Sequence, residues 1–152
     1  MELLRKVAGF GVPVEDLKNI YFLFVRSLLE QSATVWHSSL TQENEADLER
    51  VQKSALRIML QEKYHSYEDA LKTLDLETLK EIRDHLCMNF ALKCLKNPRF
   101  KGMFLLNNKS HEMDTRITEK YEVQFALTNR LKDSTVIYMQ KLLNQNEQNS
   151  PG

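Results

Sequence analysis

Thr41-Gln42-Glu43-Asn44-Glu45-Ala46-Asp47-Leu48-Glu49-Arg50-Val51-Gln52-Lys53-Ser54-Ala55-Leu56-Arg57-Ile58-Met59 is the stretch that decides the fold class. Thr41 can cap a helix through its hydroxyl, and Glu43, Glu45 and Asp47 place negative charge where the helix dipole favours it. Leu48, Val51, Ala55, Ile58 and Met59 then recur at helical spacing and predict a buried face. Arg50, Lys53 and Arg57 fall opposite, at i, i+3 and i+7, and form the best-placed cationic row of the chain.

Upstream, Val14, Leu17, Ile20, Tyr21, Phe24, Leu28 and Val35 recur every three or four residues and predict a second buried stripe, the hydrophobic spine of the fold. Val25 and Leu29 widen that stripe, and Phe22, Val25 and Leu29 offer a face for a partner helix or a second copy. The opening, Glu2 to Phe10, reads as the helical end of a longer element, closed by Gly9, Gly11 and Pro13. Downstream, Ser66 with Asp69 imitates a capping box for a short helix through Tyr67, Ala70, Leu71 and Leu74, turning at Asp75. Leu79, Ile82, Leu86, Phe90 and Cys94 line a longer helix that Asn97-Pro98 ends.

The expected fold is all-α: a compact array of five or six helices with a loop-rich C-terminal third. Residues 1–97 form the helical core and 98–127 a loop-rich segment, with strand character at most over Glu122 to Ala126. Residues 128–143 form a terminal helix, capped by Thr128 or Asn129, with Leu131, Tyr138 and Leu142 inward. Residues 144–152, rich in Asn and Gln, are expected to be a disordered tail.

A chain of 152 residues can bury a real core, and 42% hydrophobic with 28% charged residues is ordinary globular composition. Lys plus Arg equal Asp plus Glu at 21 each, so no global field draws the chain to nucleic acid or anionic lipid. The longest apolar run, Ile20 to Val25, is too short to cross a membrane. Two cysteines and no leader-like segment predict a soluble protein in a reducing intracellular setting, nucleus or cytoplasm.

Two readings fit the Arg50, Lys53, Arg57 row. It can follow the phosphates of a nucleic-acid backbone, or it can be a solvated face with local pairs Asp47/Arg50 and Glu49/Lys53. A second tract, Lys93, Lys96, Arg99, Lys101 and Lys109, has no acidic residue within it and is interleaved with Phe100, Phe104, Asn107 and Asn108. Cations with aromatics suit single-stranded nucleic acid. Equally, Phe100 and Phe104 can fold onto the core and leave the lysines hydrated.

Other chemistries lack their patterns. Cys87 and Cys94 lie two helical turns apart, and His37, His65, His85 and His111 are too dispersed to complete a zinc pattern, so no metal or other cofactor is expected. Trp36-His37-Ser38 has no glycine-flanked nucleophile, and His37 reads as a helix-terminal polar residue. Ser110-His111-Glu112 lacks the second histidine of a metalloprotease helix, and no phosphate loop or dinucleotide fingerprint calls for a small-molecule substrate.

Several segments in order carry a family likeness: Phe10-Gly11-Val12; Ser32-Ala33-Thr34-Val35-Trp36-His37-Ser38-Ser39-Leu40; Arg50-Val51-Gln52-Lys53-Ser54-Ala55-Leu56-Arg57-Ile58; Phe90-Ala91-Leu92-Lys93-Cys94; and Tyr138-Met139 with Leu142-Leu143-Asn144. Together they resemble the thumb region downstream of the palm in non-LTR, LINE or jockey-like, retrotransposon reverse transcriptases. Members of that family tend to carry an aromatic and a proline near Gln31 and Thr34, and more basic residues overall. The palm of such enzymes holds catalytic metal ions on paired aspartates. This chain has no Asp-Asp pair, and its nearest approach, Glu68-Asp69, starts a helix. The resemblance therefore implies a non-catalytic piece of an RNA-directed DNA polymerase, whose partner is a primer-template RNA/DNA duplex or a palm domain. The duplex would be met by Arg50, Lys53 and Arg57, with Lys96, Arg99 and Lys101 as a second set. The alternative expectations are a helical docking or self-association module, or a relic without selected activity.

Overall fold

The computed structural model describes residues 1–106 and 120–149, the side chains of 147–149 excepted. Helices α1 (Glu2–Gly9), α2 (Val14–Ile20), α3 (Ser27–Glu30), α4 (Ala33–Trp36), α5 (Gln42–Leu60), α6 (Tyr67–Leu74), α7 (Leu79–Lys96), α8 (Asn129–Lys132) and α9 (Thr135–Asn149) follow in order. The protein is all-α, and six of these, α1, α2, α5, α6, α7 and α9, have seven residues or more. Extended pairing among the described residues is limited to an isolated antiparallel bridge between Leu106 and Tyr121. No helix among them is long and apolar enough to cross a membrane.

The chain divides into two compact units, residues 1–33 with 40–83, and residues 34–39 with 84–152. The division falls within α7, which gives its first turn to one unit and the rest to the other.

In the first unit α5 packs against α1, α2 and α6. Its inner face is Ala55, Leu56, Met59 and Leu60, which meet Leu4 and Ala8 of α1, Leu17 and Tyr21 of the spine, and Ala70 and Leu74 of α6. Each large aliphatic side chain removed from water contributes about 1.5 to 3 kcal/mol, and the alanines let the helix axes approach. The caps are those expected: Thr41 Oγ1 accepts the Asn44 amide at 3.2 Å and Ser66 Oγ the Asp69 amide at 3.1 Å. Asp75 closes α6 in the left-handed region at φ 51°. The Leu74 carbonyl at that end accepts the Lys18 ammonium, a cation suited to the negative end of a helix. Thr78 and Glu81 form a second, reciprocal capping box at the start of α7. Gly11, at φ +74°, supplies the turn from α1 to α2 that a side chain would strain.

The spine departs from its expected register. Residues Tyr21–Arg26 wind as a π-helix between α2 and α3. Wider winding delays each following side chain around the axis, so the three-and-four pattern ceases to mark one face. Phe22 and Val25 turn in and pack on the core, whereas Phe24 and Leu28, expected inward, are 57% and 67% exposed beside Leu23 at 68%. Val35 is likewise exposed.

In the second unit Ala91, Cys94, Phe104, Tyr121, Met139 and Leu143 form the core. Thr128 caps the four-residue α8 through its hydroxyl, but the helix breaks at Asp133 before α9 begins. The break shifts the inward face: Ile137, Met139, Gln140, Leu143 and Asn144 are buried, while Leu131 is exposed and Leu142 only half-buried. Helix α9 continues to Asn149, past the expected limit at 143. Two amides one turn apart tie α9 to the preceding segment. Asn144 accepts the Tyr121 amide at 2.9 Å and donates to the Tyr121 carbonyl at 3.0 Å. Gln140 donates to the Met103 carbonyl at 2.8 Å and accepts the Gln124 amide at 3.3 Å. They supply partners to the backbone groups of Met103, Tyr121 and Gln124.

His37 lies in the 3-10 turn that follows α4, with its side chain only 3% exposed. Its Nε2 is 2.7 Å from Asp84 Oδ1 and 3.0 Å from the Tyr138 hydroxyl, and that hydroxyl donates to the same carboxylate oxygen. The Thr135 hydroxyl donates to the Val35 carbonyl at 3.0 Å and fastens the same turn to the start of α9. Replacing His37 by Ala is expected to cost about 1 to 3 kcal/mol of unfolding free energy, since a buried ring and its hydrogen bond are lost together. Chemical denaturation would check this, and an unchanged midpoint would show the knot to be dispensable.

Tyr21 gives an opposite case. It is fully buried, and its hydroxyl has no hydrogen-bond partner among the described residues. A buried polar group in that position is destabilising, so Tyr21→Phe is expected to raise the unfolding free energy by up to about 1 kcal/mol. The same denaturation series decides it, a lowered midpoint being the contrary result.

Candidate nucleic-acid interface

The α5 row is built by a helix whose opposite face is core, so Arg50, Lys53 and Arg57 are all exposed. The three cations are held differently. Arg50 Nη1 lies 2.6 Å from Asp47 Oδ1, one turn back, and its charge is paired. The Lys53 ammonium stands 4.9 Å from the centre of the Tyr67 ring. The Arg57 guanidinium stands 5.2 Å from the centre of the Tyr64 ring. Among the described residues neither Lys53 nor Arg57 is ion-paired with a carboxylate.

The expected Glu49/Lys53 pair is replaced by another arrangement. Glu49 Oε2 accepts the Tyr67 hydroxyl at 2.6 Å, and Oε1 accepts the Lys80 backbone amide at 2.9 Å. One carboxylate thereby ties α5 to α6 and to the start of α7, and a ring takes its place beside the lysine. Cation-π contact attracts the charge without neutralising it. The sequence reading of this row does not include Tyr64 and Tyr67. Their spacing of three residues, after a helix carrying cations four apart, was the available signal.

Burial first, and then donation to Glu49, push the Tyr67 hydroxyl well above its ordinary value of 10.0. The folded state therefore disfavours ionisation, and its contribution is complete below about pH 10 and is lost as pH rises beyond it. The unfolding midpoint is expected to fall between about pH 8 and about pH 11. Tyr67→Phe should lose less over that interval, and an equal loss would assign the effect to other groups.

The second set lies in the other unit. Lys93, Lys96, Arg99 and Lys101 are exposed at the end of α7 and in the turns after it. Phe104 is 4% exposed and belongs to the core, so it is unavailable for stacking, while Phe100 remains 40% exposed. Lys109, Asn107, Asn108 and the Ser110-His111-Glu112 run lie outside the described residues. Among the described residues, this tract is a short cationic turn with one half-open ring.

No group of three or more potential metal ligands gathers among the described residues. Cys87 and Cys94 are buried thiols on α7. No family model, curated protein or solved structure matches this chain.

Proposed function

We propose that this chain is an intracellular, non-catalytic module similar to the thumb of a non-LTR retrotransposon reverse transcriptase, and that it contacts a primer-template duplex through α5. The observation that carries the reading is the pair Lys53 and Arg57: exposed, one turn apart, and held over rings rather than against acids. Cations at one-turn intervals can engage successive phosphates of one strand without reading sequence. Arg50, paired with Asp47, has the smaller part. Lys96, Arg99 and Lys101 are a secondary contact in this reading. The ordered family-like segments support it, and the sequence holds no aspartate pair with which to perform nucleotidyl transfer.

The test is binding to a fluorescent primer-template duplex over a range of salt. Affinity should fall as salt rises, because phosphate neutralisation releases counterions, and the Lys53→Glu, Arg57→Glu double variant should reduce the slope of log K against log salt by about 2. An unchanged slope would remove the row from the interface.

A second reading draws on Leu23, Phe24 and Leu28, which remain exposed on the π segment and α3. Such side chains suit a partner helix or a second copy. The face differs from that expected from sequence, since Phe22 and Val25 are committed to the core. Light scattering distinguishes this reading: mass above the monomer that is insensitive to salt would favour it over the duplex.

A further inference from the structure

Lys53 has an acid of the same helix four residues before it, and that acid faces elsewhere. On an isolated helix a Glu followed by a Lys at that spacing forms the favoured ion pair. Here both oxygens of Glu49 are engaged, one by the Tyr67 hydroxyl and one by the Lys80 amide. The ring carrying that hydroxyl is the ring beneath the ammonium. One tyrosine thus occupies the competing carboxylate and supports the cation that the carboxylate would otherwise neutralise.

Resting on the duplex reading above, we propose that Tyr67 is a positioning residue for phosphate binding: it keeps the Lys53 ammonium outward and unpaired with a carboxylate by diverting Glu49. Tyr64 acts in the simpler way for Arg57, as a supporting ring alone. The ligand is a polyanion of phosphates, met by side chains whose reach is set before binding. The arrangement explains how a chain with no net charge can present two cations at one place. It also assigns Glu49 a definite latent role, that of the acid which closes the site when Tyr67 is removed.

The experiment is duplex binding by the full chain and by Tyr67→Leu, Tyr64→Leu, and Tyr67→Leu combined with Glu49→Gln. Each single Leu variant should weaken binding by about two- to fivefold, the range of an exposed cation-π contact. Adding Glu49→Gln to Tyr67→Leu should recover much of the loss, since Gln can no longer neutralise Lys53. A protein in which Tyr67 only stabilises the fold would be made worse by that second change. Equal binding by parent and Tyr67→Leu, or no recovery with Glu49→Gln, overturns the proposal. Circular dichroism identifies a Tyr67→Leu chain that does not fold. In that case Tyr67→Phe, which keeps the ring and releases Glu49, should weaken binding, and parental affinity overturns the proposal.

Inorganic tripolyphosphate separates the positioning role from the duplex reading. Side-chain NMR signals of Lys53 should shift with it in the parent and shift less in Tyr67→Leu. That result without duplex binding would refute the thumb reading and retain the positioning role. No shift in the parent would overturn both.

Discussion

The Glu49 carboxylate is the interaction on which the first unit's arrangement turns. An acid on an exposed helix face ordinarily contributes a few tenths of a kcal/mol through a local pair. Here it accepts a tyrosine hydroxyl from α6 and a backbone amide from the first turn of α7. The amide belongs to Lys80, near the helix start, where intrahelical acceptors are lacking. Hydrogen bonds to an ionised acceptor are stronger than neutral ones, and they are directional where apolar packing is not. The core of Leu56, Met59, Leu74 and their neighbours supplies most of the favourable free energy, whereas Glu49 selects how α6 and the first turn of α7 approach α5.

The second unit uses polar side chains in a different manner. Among the described residues, the segment between Pro98 and Thr128 holds one 3-10 turn and one isolated bridge, so other backbone groups there take acceptors and donors from side chains. Gln140 and Asn144 provide them from one face of α9, and Tyr121 and Phe104 are buried beside them. Burying an amide side chain is costly unless its hydrogen bonds are made. That requirement fixes the loop on the helix more narrowly than Phe104 alone would do. The knot of His37, Asp84 and Tyr138 follows the same logic for the turn at 37–39.

How legible these features were in the sequence depends on their range. The caps at Thr41 and Ser66, the turn at Asp75 and the end of α7 before Pro98 are local, and the residues within four positions determine them. The all-α class and the outward row on α5 follow from periodicity. What periodicity misplaced was the spine beyond Tyr21, because a π segment changes the period midway and leaves no mark in the order of apolar residues. It also misplaced the face of α9, where a break at Asp133 separates two helices. Asn144 read as the start of a polar tail because amide side chains that serve backbone groups are indistinguishable in sequence from amides that meet water. His37 was similarly opaque, since Asp84 and Tyr138, which bond its ring, lie more than forty residues away.

The α5 row shows why counting charges is insufficient. Arg50, Lys53 and Arg57 are equivalent in composition and in exposure class, and equal numbers of acids elsewhere in the chain cancel them. Yet a phosphate arriving at Arg50 must compete with Asp47 at 2.6 Å, whereas at Lys53 and Arg57 it meets a cation resting on a ring. A ring's quadrupole attracts the cation but carries no net charge, so the field reaching solvent is preserved. With no net charge to steer a polyanion from a distance, approach is not accelerated, and any selectivity for phosphate has to be generated at short range. In the proposed reading, local placement of two tyrosines and one diverted carboxylate is the physical basis on which such a surface would act.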